Sequence, residues 1–108
     1  MEPEYVRGHL ATMILAVLAA GPAHGYGVAA ALRRRSDDQV EIVEGSLYPA
    51  LHRLEAAGWV DSEWETNDGR RRRSYSLTAD GKEELRLRAG RWSAFRSFMD
   101  SLLEDGDA

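Results

Sequence analysis

A chain of 108 residues, 44% of them hydrophobic, has material for one compact core and little more. With no cysteine, it has no disulfide, no thiolate metal site and no cysteine nucleophile. The net charge of −4 is the wrong sign for a generic phosphate binder, but the charges are segregated: arginines gather at Arg33 to Arg35, at Arg53 and at Arg70 to Arg73, while acids gather at the two ends and between Asp37 and Glu44.

From the N-terminus, Tyr5 to Ala20 carries Val6, Leu10, Met13, Ile14, Val17 and Leu18 at helical spacing and stops at the breaker pair Gly21-Pro22, which predicts a first core helix. Its longest apolar stretch, Leu10 to Gly21, is too short to span a bilayer, and Met1-Glu2-Pro3-Glu4 lacks the basic start of a secretory signal. The expectation is a cytoplasmic protein without a membrane segment. His24 to Arg35 predicts a shorter second helix with three arginines near its C-terminal end, where cations suit the helix dipole. Val40 to Val43 is β-branched and predicts a brief strand.

A third helix is predicted from Glu44 to Gly58, with Gly58 as a left-handed cap. At 100° per residue, Leu47, Ala50, Leu51 and Leu54 share one side, and Tyr48, Pro49, His52 and Ala56 the other. The first side is core; the second is aromatic, small and polar, which suits entry into a major groove. Trp59 to Thr66 and Arg72 to Leu77 then alternate around the hairpin signal Asn67-Asp68-Gly69, forming a wing with a basic tip. The fold class is mainly α with a small β-ribbon: a winged helix-turn-helix over residues 1–78, followed by one long dimerisation helix over 79–108.

That last helix starts at Thr78 as N-cap and runs to Leu103. Leu85, Trp92 and Met99 repeat every seven residues, and Phe95 and Leu102 fill the offset positions, with Arg88 interrupting the series. So much apolar surface on a helix leaving a small domain predicts a homodimer; the competing arrangement packs the stripe on the first helix of its own chain. The tail, Glu104 to Ala108, reads as disordered.

His24-Gly25-Tyr26-Gly27, Gly45-Ser46-Leu47-Tyr48-Pro49-Ala50-Leu51, Leu54-Glu55 with Gly58, and Ser74-Tyr75-Ser76-Leu77-Thr78 with Gly81 occur in one order. Together they resemble the PadR family of bacterial transcriptional regulators, over roughly Leu10 to Leu103. The C-terminal part is similar to the smaller branch of that family, in which a single helix after the winged domain mediates dimerisation. The resemblance implies an operator-binding repressor, often of detoxification or efflux genes, relieved by a small molecule. Trp92 matches a tryptophan position of efflux-controlling relatives, where paired indoles sandwich flat aromatic ligands. It implies a planar aromatic effector at Trp92 and Phe95, against the alternative of dimer-core packing.

Ser46, Tyr48 and Pro49 are placed in the first turn of the third helix, where the dipole favours a phosphate. For Tyr48 the alternative is packing against the second helix. Tyr26 touches the DNA backbone or is structural. His52 and Arg53 are candidates for base or phosphate contacts, and Arg70, Arg71, Arg72 and Arg73 for phosphates or the minor groove, with two of the four facing away by strand alternation. His9, His24 and His52 sit on separate elements without a ligand spacing, so neither a metal site, a cofactor nor an enzyme is expected. The partners expected are double-stranded DNA and a second copy; the alternative is a winged-helix protein-interaction module without operator specificity.

Overall fold

The computed structural model, which describes Met1 and residues 3–104, divides the apolar N-terminal segment into α1 (Pro3–Arg7) and α2 (Leu10–Leu18), where the periodicity predicts one helix. Gly8 and His9 make the break. Glycine is a poor helix former, and the His9 N–H bonds the Val6 carbonyl, three residues back, at 2.9 Å. Helix α2 buries Leu10, Ile14, Leu15, Val17 and Leu18, and the chain then turns at Gly21, whose φ is +145°.

A two-residue strand, β1 (Ala23–His24), follows and leads into α3 (Gly25–Arg35). The strand predicted at Val40 to Val43 is not formed; that segment pairs with nothing among the described residues. Two of its three β-branched side chains go to the core instead: Val40 is buried and Ile42 packs against the buried cluster, while Val43 is exposed. The third sheet position belongs to β1, which follows the Gly21-Pro22 turn and pairs with β3 through Ala23↔Tyr75 and His24↔Ser74.

Helix α4 (Glu44–Ala56) buries Leu47, Ala50, Leu51 and Leu54, the four residues of the predicted core side. It ends as the sequence predicts. Gly58 has φ +82°, its N–H bonds the Glu55 carbonyl, and the Trp59 N–H bonds the Leu54 carbonyl, so two terminal carbonyls are satisfied. Pro49 lies in the sixth position of α4 rather than in its first turn, because the helix starts at Glu44. Its missing N–H leaves the Gly45 carbonyl without an intrahelical donor, at an exposed residue that water reaches.

The wing is β2 (Val60–Asn67) and β3 (Arg70–Leu77), antiparallel from Val60↔Leu77 to Asn67↔Arg70. The two-residue turn Asp68-Gly69 has φ of 52° and 77°, both positive as a type I′ hairpin requires, and β3 therefore begins two residues before the predicted Arg72. With β1 on the other side of β3 the sheet order is β1-β3-β2.

Helix α5 (Ala79–Glu104) is capped by Thr78: the Gly81 N–H donates to Thr78 Oγ1 at 2.9 Å, and the Thr78 hydroxyl donates to the Gly58 carbonyl at 2.6 Å. The first turns of α5 lie on their own chain. Leu85 packs against the core, and Arg88 Nη1 donates to Thr12 Oγ1 at 2.9 Å while its Nε donates to Glu84 at 2.6 Å. Farther along, Trp92, Phe95, Phe98, Leu102 and Leu103 are exposed and Met99 is half-buried. Twenty-six residues extend about 39 Å, which accounts for a long axis of 63 Å against 29 and 20 Å. Of the tail, Glu104 closes α5; residues 105–108 lie outside the described residues.

Candidate nucleic-acid interface

Helices α3 and α4 meet through Tyr48 and Gly25. A β-carbon at Gly25 would stand 2.8 Å from Tyr48 Cε1 and Oη, so the glycine is what lets the phenol ring lie on the start of α3. Between α4 and the wing this leaves a cleft of about 780 Å³, lined by His24, Gly25, Tyr26, Tyr48, His52, Trp64, Arg71, Arg72, Arg73 and Tyr75. Three guanidinium groups, two imidazoles and three phenols share it with no carboxylate among the described residues, in a chain whose net charge is −4. Two carboxylates stand behind the lining, Glu55 paired with Arg73 and Glu65 with His24, while Asp38 and Glu41 border a separate groove beside α1.

The register sorts the wing's side chains. Tyr75, Arg73 and Arg71 share one face of β3, and Trp64 lies opposite Arg73 on that face. The Arg71 and Arg73 guanidinium carbons stand 4.7 and 5.2 Å from the Trp64 ring centroid. Arg73 is tied further. Its Nε donates to Ser62 Oγ at 2.7 Å, the Ser62 hydroxyl donates to Glu55 Oε2 at 2.7 Å, and Glu55 Oε2 lies 3.6 Å from the Arg73 guanidinium. This chain joins α4 to the wing. On the opposite face, His24 Nε2 lies 3.2 Å from Glu65 Oε2, tying β1 to β2 across β3. Burial raises the Tyr75 phenol above its ordinary 10.0, and Arg73 partly offsets the rise.

Of the predicted contact residues, Tyr26, Tyr48, His52, Arg71, Arg72 and Arg73 come together in the cleft. Tyr26 is 75% exposed there. Pro49, Arg53 and Arg70 are exposed outside it, and Ser46 lines the groove beside α1, with Leu10 and Ile42. Alternation puts Arg71 and Arg73 on one face of β3 and Arg70 and Arg72 on the other, and Arg72 nonetheless also lines the cleft. Sequence reasoning gave no site role to Trp64 or Ser62, and singled out Gly25 and Glu55 only as motif residues. The Trp64–Arg73 pairing is recoverable by counting outward from Asp68-Gly69; the clearance at Gly25 has no sequence signal beyond the glycine itself.

A second concavity, of about 660 Å³, runs between α1, α2 and α5 and is mostly apolar, with Tyr5, Val6, Met13, Trp92 and Phe95 among its walls and Arg88 and Arg91 at its side. Trp92 meets the His9 ring edge-on at 5.2 Å and 78°, and Phe95 lies 6.3 Å from Trp92. The break between α1 and α2 thus puts His9 against the long helix. Among the described residues, no group of three or more His, Asp or Glu is placed to hold a metal ion, and no helix is long and apolar enough to cross a membrane.

Helix α4 following α3, with a basic β-hairpin beside it, defines a winged helix-turn-helix protein. The sequence model of the transcriptional regulator PadR-like family matches residues 14–87. Transcriptional regulator Rv3488 of Mycobacterium tuberculosis is 38% identical over 82 residues, covering 76% of this chain and 74% of the relative. A PadR family transcriptional regulator from Eggerthella lenta superposes with a TM-score of 0.81 at 33% identity, covering 94% of this chain and 87% of that one. A transcriptional regulator from Clostridium thermocellum, Cth-833, superposes with a TM-score of 0.83 at 28% identity over 91% of this chain and 96% of that one. The chain belongs to the PadR-like family of transcriptional regulators, a class that acts by binding DNA.

Proposed function

We propose that this regulator is a homodimeric repressor that binds a pseudo-palindromic operator and is released by a small-molecule effector. The observation that carries the DNA-binding part is the cleft of arginines, imidazoles and phenols on a chain of net charge −4, its two adjoining carboxylates, Glu55 and Glu65, being engaged by Arg73 and His24. An anionic backbone entering it meets guanidinium, imidazole and hydroxyl donors, and charge-assisted bonds to the guanidinium groups are the strong kind. In this reading α4 lies in the major groove. His52 and Arg53 reach base edges or phosphates, Tyr26, Ser46, Tyr48 and Pro49 fit against the sugar-phosphate backbone, and Arg70 to Arg73 grip the flanking phosphates.

Residues 1–78 are the DNA-binding unit in this proposal, and 79–108 the pairing unit, although Leu85 serves its own core as well. Pairing through Met99, Leu102 and the neighbouring aromatics covers the apolar side of α5 and spaces two α4 helices for half-sites about 34 Å apart. A planar aromatic effector takes the groove at Trp92 and Phe95 and favours a dimer with different spacing. It weakens operator binding by its differential affinity for the two arrangements, and the operator weakens effector binding equally.

The test is an anisotropy titration against labelled duplex from upstream of the protein's own gene, at two salt concentrations, with unrelated duplex as competitor. Saturable binding that resists competitor and weakens with salt supports the operator reading. Binding to the upstream duplex no tighter than to unrelated duplex removes that operator. Ligand affinity that is equal with and without operator removes effector release.

A further inference from the structure

Trp64 belongs neither to the core nor to the contacts assigned above. Its indole is 54% exposed on β2 at the cleft, a costly place for so large an apolar surface unless something uses it. What uses it is a pair of arginines, 4.7 and 5.2 Å from its centroid, and the two differ. Arg73 has its partners already, in Ser62 and Glu55. Arg71 has no carboxylate partner among the described residues, and the indole face is what holds it.

We propose that Trp64 is a positioning residue for operator binding. Glu55 and Ser62 anchor Arg73 to α4, Arg73 braces the indole, and the indole holds the Arg71 guanidinium at the cleft. A guanidinium held over a ring face keeps its N–H donors in its own plane, where they remain available to a phosphate oxygen. Arginine loses rotamer freedom when it binds, and stacking takes part of that loss before DNA arrives. The inference rests on the DNA-binding reading and revises it at one residue: Arg71 contacts phosphate, whereas Arg73, held by Ser62 and Glu55, is a strut and not a phosphate contact.

The experiment is a double-mutant cycle on the full chain, read by anisotropy with the upstream duplex over a salt series. Arg71→Ala is expected to weaken binding and lower the log–log salt slope by about 0.9, the value of one phosphate contact. Trp64→Leu is expected to weaken binding about five-fold, and Trp64→Tyr, which keeps a ring face, to stay within about two-fold of the unmodified chain. In the Trp64→Leu background, Arg71→Ala is expected to cost about five-fold less than in the unmodified chain, while Arg72→Ala, on the other face, costs the same in both. The cycle is repeated with Trp64→Val, which favours strands, so that the result does not depend on the folding of one variant. An Arg71→Ala penalty of equal size with and without the indole overturns the positioning role and leaves DNA binding standing. If the unmodified chain shows no salt-dependent binding to any duplex, the DNA-binding reading falls, and this inference with it.

Discussion

Tyr48 lies against the backbone of Gly25, so close that a β-carbon there would come within 2.8 Å of its ring and its hydroxyl oxygen. The contact sets how near α4 approaches α3, and it turns a tyrosine of the cleft into a structural residue as well. Gly25→Ala is expected to displace the ring and lower stability by about 1 to 3 kcal/mol, the usual cost of overpacking. Urea unfolding measures it. In a Tyr48→Leu background the same substitution is expected to cost less, because the obstructing ring is gone; equal costs would locate the strain elsewhere.

Two glycines of α5 are expected to respond in opposite directions. A β-carbon at Gly81 would overlap the carbonyl oxygen of Trp59, a backbone atom that has no room to yield, whereas one at Gly90 meets nothing within 4 Å. Gly81→Ala is therefore expected to lift the start of α5 from the wing and cost about 3 kcal/mol or more. Gly90→Ala gains helix propensity and is expected to stabilise by about 1 kcal/mol. Thermal unfolding of both variants at one protein concentration reads the pair. A loss of stability at Gly90 would mean that a second chain packs on that side of the helix.

Phe98 is 58% exposed and Leu102 51% exposed, past the point where α5 leaves its own core. If a second copy covers them, Phe98→Asp places a charge in an apolar seam. Sedimentation velocity is expected to show a monomer, and operator affinity to fall by ~10² or more as bivalency is lost. A variant that still sediments as a dimer would move the seam away from this face.

Tyr75 is expected to make stability fall in alkali. Burial holds its phenol pKa above the ordinary 10.0, so the folded chain keeps the proton more tightly than the unfolded chain does. This contribution is fully present below pH 10 and is lost as pH rises through the raised folded value. Denaturant midpoints between pH 9 and 11, compared with Tyr75→Phe, measure it; the variant's alkaline decline is expected to be shallower. Equal declines would assign the effect to other groups.

Much of the fold was legible because its signals are local. The four core residues of α4 follow from a 3.6-residue period, the end of that helix from Gly58, the wing's turn from Asp68-Gly69, and the start of α5 from Thr78. Each depends on the backbone preferences of a few neighbouring residues. The errors have separate causes. Val40 to Val43 reads as a strand by propensity, but Val40 and Ile42 pack into the core, and Ala23 and His24 are the residues that pair with β3. The apolar period of Tyr5 to Ala20 runs through Gly8 and His9, where the chain turns.

The sequence by itself determined the winged helix-turn-helix class, the family, the core face of α4, the wing's turn and the start of α5, since these rest on periodicity, turn chemistry and motif order. Only the tertiary structure decided which of the predicted contact residues meet. It brings Tyr26, Tyr48, His52 and three wing arginines into one cleft, leaves Ser46 at another groove, and sets Trp64 beneath two guanidinium groups. Those pairings depend on the distance between elements far apart in the chain. That distance is set by packing, by the clearance at Gly25 and Gly81 above all, and packing has no local signature in the sequence.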